Sequence, residues 1–359
     1  VGAGIFCLLL AATLPAAETV APVEGADTPI SATASVDVDG LSPQGGALLD
    51  ACFDDYNRLN FDPAEAEARE AMAAQPELPL PVIYLQAVLV SEVQELTLGH
   101  ADDSAVRERF DQATVLALRL EAAWEKAHHD GRGQNYLGIS LGERGLVQLY
   151  RGHLLAAYKD GKRSNEALLL AQQRDPSLIE ADLGRGQYLY YCGRLSGFLR
   201  LILVLHGDIP GGINLLQTCG VGGRRCAPLA RLMLAGILTD DVPDYARALP
   251  YVQEAESRYP QNWSYDKLAL DEARGLGLAN PAALALVEAV SAQWDSGWRP
   301  PPYAALDPDP MRLQLAKWYL GAGREADARR HLTAIEQDKG KSAAEARQLE
   351  QSHSAVPGP

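Results

Sequence analysis

The chain has 359 residues, 47% of them hydrophobic and 22% charged, with a formal net charge of −15. Length and apolar content suffice for a large core. The acidic balance excludes non-specific nucleic-acid binding, which needs a basic face to neutralise phosphates, and it weighs against docking on anionic lipid.

The first apolar stretch is Ile5–Ala12, IFCLLLAA, followed by the small residues Ala16 and Ala17. It has the size of a signal-peptide core with a cleavage site behind it. Residues 1–17 therefore read as a signal peptide, either truncated or begun at a non-standard codon, since the chain opens on Val1 and no Lys or Arg precedes the core. The run is too short to span a bilayer, and Phe198–Leu205 carries Arg200, so no membrane span is expected. Residues 18–45, rich in Pro, Gly, Ala, Ser, Thr and acidic side chains, read as a disordered linker. Together these features predict export, to a bacterial periplasm or cell surface.

Ordered structure is expected from about Ala47, where Leu48, Leu49, Cys52, Tyr56 and Leu59 recur at helical spacing. Asp62-Pro63 opens a second helix that ends before Pro76, and an apolar helix runs from Val82 to about Leu98. Ser104–His129 and a helix from about Gln134 follow; Gly138, Gly142 and Gly145 in the latter predict close helix approach. Lys162–Arg174 ends at Asp175-Pro176, and Leu178–Cys192 carries Tyr188, Tyr190 and Tyr191 near its end. The beat breaks over 193–225, a glycine-rich stretch read as an insertion of helix plus loop, either a lid or packed core. It resumes with Cys226–Leu238, Tyr245–Arg258, Trp263–Arg274, Pro281–Trp294, Leu313–Leu320 and Glu325–Gln337. Residues 339–359 are expected to be a capping helix and a disordered tail.

Three helices end the same way: EAEAREAMAAQP at Pro76, NEALLLAQQRDP at Pro176 and ALPYVQEAESRYP at Pro260. A fourth unit, Leu315–Glu336, carries Ala316, Tyr319, Gly321, Ala326 and Leu332; Leu183, Gly184 and Tyr188, and Ala246, Leu249 and Ala255, follow the same order of small and aromatic residues. These patterns resemble degenerate tetratricopeptide repeats, of a subgroup whose biochemistry is uncharacterised. The resemblance implies an all-α, right-handed helical-repeat solenoid of irregular helix pairs over 46–338. It also implies a surface that binds partners, although the Lys and Asn residues of the family's peptide clamp are not evident.

The chemistry-bearing motifs are sparse. His128-His129-Asp130 could hold a metal, but it reads better as a helix end with Gly131 supplying the left-handed turn. The segments GDIPGG and GVGGRR lack the strand-before, helix-after setting of a phosphate loop. No catalytic residue, metal ligand or cofactor is nominated. Cys219 and Cys226 flank GVGGRR and either form a small-loop disulfide or stay as thiols; four cysteines would remain after loss of Cys7.

Aromatic residues concentrate late in the chain, and Trp298–Asp309 forms a proline-rich loop. Adjacent tyrosines cannot all face one core. The expected binding residues are Tyr188, Tyr190, Tyr191, Asn262, Trp263, Tyr265 and Asp266, on a concave face. Three functions compete: a scaffold for a protein or peptide partner, a solute-binding accessory of a transport system with a small-molecule pocket near 193–225, and a hydrolase whose site the sequence hides.

Overall fold

The computed structural model describes residues 40–98, 101–194, 207–296, 309–338 and 342–354. Among these the chain is all-α, with fifteen α-helices, one π turn and no strand. Two compact units divide it, Val1–Leu234 and Ala235–Pro359. The solenoid read over 46–338 therefore falls into two parts, each taken by itself. The segment read as a signal peptide, most of that read as a linker, and the loop from 298 up to Asp309 lie outside the described residues.

Unit 1 begins with α1 (Pro43–Asn57) and α2 (Phe61–Ala74). The linker boundary at 45 is corrected: α1 starts at Pro43, because Ser42 caps it by accepting from Gly45 N–H at 3.0 Å and proline suits the first turn. Next come α3 (Pro79–Leu98), α4 (Ser104–His128), α5 (Gly131–Tyr150), α6 (Leu154–Arg174), α7 (Glu180–Arg194) and α8 (Ile209–Gly222). Helices α2 and α6 stop two residues short of their prolines, which lack the N–H that would continue the helix.

The turn from α4 to α5 corrects the reading of His128-His129-Asp130-Gly131. His129, not Gly131, takes the left-handed conformation at φ 50°. Gly131 is already helical, and Asp130 caps α5 through Gly133 N–H at 3.1 Å. His128 stacks on Trp124, with ring centroids 4.0 Å apart.

Packing follows chain order. The helices form hairpins α1–α2, α3–α4, α5–α6 and α7–α8, and the first helices also pack side by side, α1 on α3, α3 on α5 and α5 on α7. Leu168 of α6 wedges between two glycines: a Cβ at Gly138 of α5 would lie 2.5 Å from its Cγ, and one at Gly184 of α7 2.6 Å from its Cδ1. Residues 209–222, read from sequence as part of an insertion, are α8, the partner of α7. Their backbones nearly touch where Gly186 faces Gly212: a Cβ at either would sit within 2.9 Å of the other's carbonyl oxygen.

Helix α9 (Ala227–Gly236) runs on into the π turn Ile237–Asp241, and the unit boundary falls within it. Unit 2 continues with α10 (Tyr245–Arg258), α11 (Trp263–Leu276), α12 (Pro281–Asp295), α13 (Asp309–Gly321), α14 (Glu325–Asp338) and α15 (Ala343–Ser354). Again neighbours in sequence are neighbours in space, α11 on α12, α13 on α14 and α15 against α14. Trp294, Tyr259 and Tyr319 are its largest fully buried side chains.

Candidate functional site

Of the seven residues expected on a binding face, four are core. Tyr190 is fully buried on α7, edge-on to Tyr191 with centroids 5.3 Å apart. It shares a helical stripe with the buried Asp182 and Gly186, which is why it points inward. In unit 2, Asn262 caps α11 by accepting from Ser264 N–H at 3.0 Å and is wholly buried. Tyr265 packs on Tyr259 at 5.8 Å. Asp266 accepts from Trp294 Nε1 at 2.8 Å and Gln293 Nε2 at 2.9 Å. Burial, partly offset by the Trp294 bond, holds its carboxyl well above the usual range. Their placement on an exposed face is thus corrected: 262, 265, 266, 269 and 273 form the buried stripe of α11 itself.

Tyr188, Tyr191 and Trp263 remain half-buried and reach solvent. Tyr188 donates to the Cys192 sulfur, and burial lifts the Cys192 thiol to about 11. The Tyr188 ring lies 3.9 Å from where a Cβ on Gly161 of α6 would stand. Tyr188 and Tyr191 belong to unit 1 and Trp263 to unit 2.

Sequence reasoning missed three buried polar groups. In unit 1, Ser140 of α5 donates to Glu121 of α4 and lies 2.8 Å from Gln86 Oε1, and Gln86 donates to Thr114 at 3.0 Å. Burial raises Glu121 to about 7 against the pull of Ser140 and Arg144. In unit 2, Thr239 in the π turn donates to Glu272 Oε2 at 2.9 Å; burial lifts Glu272 to about 7 as well.

The third group joins a serine to a histidine. Ser291 Oγ of α12 lies 3.0 Å from His331 Nε2 of α14. Tyr319 stacks on the imidazole, with centroids 5.8 Å apart and planes 4° from parallel. A nucleophile beside a base would serve the hydrolase reading, but the surroundings do not suit it. No carboxylate orients the ring, since His331 Nδ1 is buried without a partner. Asp295 faces the serine hydroxyl instead, at 3.4 Å, and Arg330 crowds it at 3.3 Å. Burial depresses His331 to about 4, which makes it a weak base. Both side chains are sealed, at 2% and 0% exposure. The sequence carried a signal for the burial of His331 but not for its partner: Ala328, His331, Leu332 and Ile335 recur at i, i+3, i+4 and i+7.

The Cys219 and Cys226 sulfurs are placed at bonding distance, with Cα atoms 6.4 Å apart; Cys52 and Cys192 are buried thiols. Among the described residues no group of three or more His, Cys, Asp or Glu side chains could hold a metal ion. None of the helices described is long and apolar enough to cross a membrane.

No protein-family model and no curated protein matches the chain. Among solved structures, the chain is similar to a tetratricopeptide repeat protein from Parabacteroides merdae, at 15% identity over 87% of this chain and 99% of that one. The TM-score is 0.31, a likeness too loose to carry an argument.

Proposed function

We propose that the protein is a non-catalytic scaffold whose first helices present a surface to a protein or peptide partner. The observation that supports this most is the side-by-side packing of α1, α3, α5 and α7, each the first helix of a hairpin, in unit 1. Such a row offers a continuous strip of side chains, as tetratricopeptide-like repeats do. Tyr188 and Tyr191 stand on the last of these helices with part of each ring open to solvent. Half-exposed aromatic rings suit this role, since they add contact area at little cost in side-chain entropy. Trp263 is a separate candidate in unit 2.

The proposed location is outside the cytoplasm. The apolar run Ile5–Ala12 and the Cys219–Cys226 pairing both fit an exported protein. The solute-binding reading gains nothing from residues 209–222, which pack as a hairpin partner of α7 and not as a lid.

Affinity capture from the native envelope, read by mass spectrometry for proteins and small molecules, tests the proposal. The scaffold reading expects a protein or peptide retained by the wild-type chain and lost with Tyr191→Ala or Trp263→Ala while helicity is unchanged. Equal capture by all three chains would remove these rings from the site. A small molecule as the sole specific product would transfer the case to solute binding.

A further inference from the structure

The loop between α8 and α9 makes contacts that a tandem array does not require. In such arrays each hairpin touches only its neighbours along the chain. Arg225, at the far end of unit 1, reaches back to its beginning. Its guanidinium pairs with Asp50 of α1, 175 residues away in sequence. It also bonds the Tyr84 side chain on α3. The Arg225 side chain is only 8% exposed although it leaves a loop. Gly46 of α1 makes room for it: a Cβ there would stand 3.1 Å from Nη2.

The residues around Arg225 are tied down as well. The Arg224 N–H donates to Glu180 Oε1 of α7 at 3.2 Å. Cys226 is joined to Cys219, and the pair is buried with Ala230 under Ile179 and Leu183 of the α7 hairpin. Gly223 runs beneath the bridge, where any Cβ would collide with the Cys226 sulfur.

We propose that residues 223–226 form a strap that holds the first hairpin onto unit 1, and that the Cys219–Cys226 bond sets its grip. The bond fixes where residue 226 begins, so Arg225 meets Asp50 and Tyr84 without ordering a free loop. Without it the glycine-rich segment 220–223 regains its freedom, and the entropy of ordering the strap opposes the contact. The Asp50 pair cannot make up the difference, because Asp50 is 70% exposed and solvent screens it. The hairpin α1–α2 then keeps its packing on α3 and the Glu65–Arg109 pair to α4 but loses its tie to the far end of the unit, and a terminal element so loosened opens more often than the body. Closing the strap takes two electrons and two protons from the two thiols. A disulfide oxidant accepts them and leaves as two thiols; a dithiol reductant runs the reaction backwards and ends as its own disulfide.

Hydrogen exchange of the full chain, read by mass spectrometry, tests this, with peptide mapping to confirm the bond. In the oxidised wild type, α1 amides should be protected. In Cys219→Ser, and separately in oxidised Arg225→Ala, α1 should exchange about tenfold faster, the factor that one lost hydrogen bond to a charged group carries. Helices α13 and α14 of unit 2 should exchange as in wild type. Unchanged α1 exchange in either variant overturns the strap, as does an oxidised chain that maps with both cysteines as thiols. If Cys219→Ser loses protection everywhere, Arg225→Ala decides, because it keeps the bond: faster exchange confined to α1 supports the strap, and no change refutes it.

Discussion

Two glycines one turn apart on α5 should respond to alanine in opposite directions. At Gly138, an added Cβ would lie 2.5 and 2.6 Å from Leu168 Cγ and Cδ2 and 3.2 Å from Ser164 O. Leu168 is wholly buried and has little room to swing away, because the Gly184 backbone closes its other side, where a Cβ would stand 2.6 Å from Cδ1. Something must shift, and overpacking of this kind costs about 1–3 kcal/mol. Alanine returns about 1 kcal/mol over glycine in a helix interior. Gly138→Ala should therefore lose up to about 2 kcal/mol net. At Gly142 the same Cβ meets only Ser164 Oγ, at an ordinary 3.4 Å. Gly142→Ala should gain up to about 1 kcal/mol. Because the chain holds two units, a single unfolding midpoint would mix them. The assay is urea titration followed by hydrogen exchange at α5 and α6. Gly138→Ala as stable as Gly142→Ala would refute the wedge.

Other outcomes follow from the buried polar groups. Glu121 and Glu272 titrate near 7 in the fold, above their unfolded values, so the folded chain holds more protons between about 4.5 and 7. Their contribution is fully present below that window and is lost as pH rises through it; Glu272→Gln, which keeps an acceptor for Thr239, should lose less stability between pH 5 and pH 8 in thermal melts. His331 acts oppositely: its lowered pKa makes stability fall as pH drops from about 6.5 toward 4, and His331→Phe should flatten that acid limb. Trp294→Phe removes the indole donor to buried Asp266 and should cost about 1–3 kcal/mol by denaturant titration. Asn262→Ala should cost about 1 kcal/mol through its lost cap and leave partner capture intact.

The helices were legible because their punctuation is local. Proline stops at Pro76 and Pro176 and the 3.6-residue stripes carry their own signal, and α10 and the start of α11 fall where the pattern puts them. Capping is local too, but weaker: Ser42 as a cap for α1 was readable only beside Pro43, and the left-handed residue at the α4 end went to His129 although glycine stood two places on. The binding residues were harder. Aromatic density marked Tyr265, and Asp266 was chosen as a polar group beside the rings, yet their spacing with Ala269 and Ala273 marked them as core, and spacing proved the better guide. Long-range pairs leave no such trace. Arg225 with Asp50, and Ser291 with His331, depend on how distant helices meet, which periodicity does not encode.

The central claim is that half-exposed rings on a row of first helices carry the function and that the sealed serine–histidine pair does not. The most direct test compares Tyr191→Ala with Ser291→Ala for retention of whatever the wild-type chain captures from its native envelope, with circular dichroism to check helicity. The account predicts that Tyr191→Ala loses the captured protein and Ser291→Ala keeps it, both with wild-type helicity. Capture that survives Tyr191→Ala, or a substrate turned over by the wild type and spared by Ser291→Ala, would contradict it.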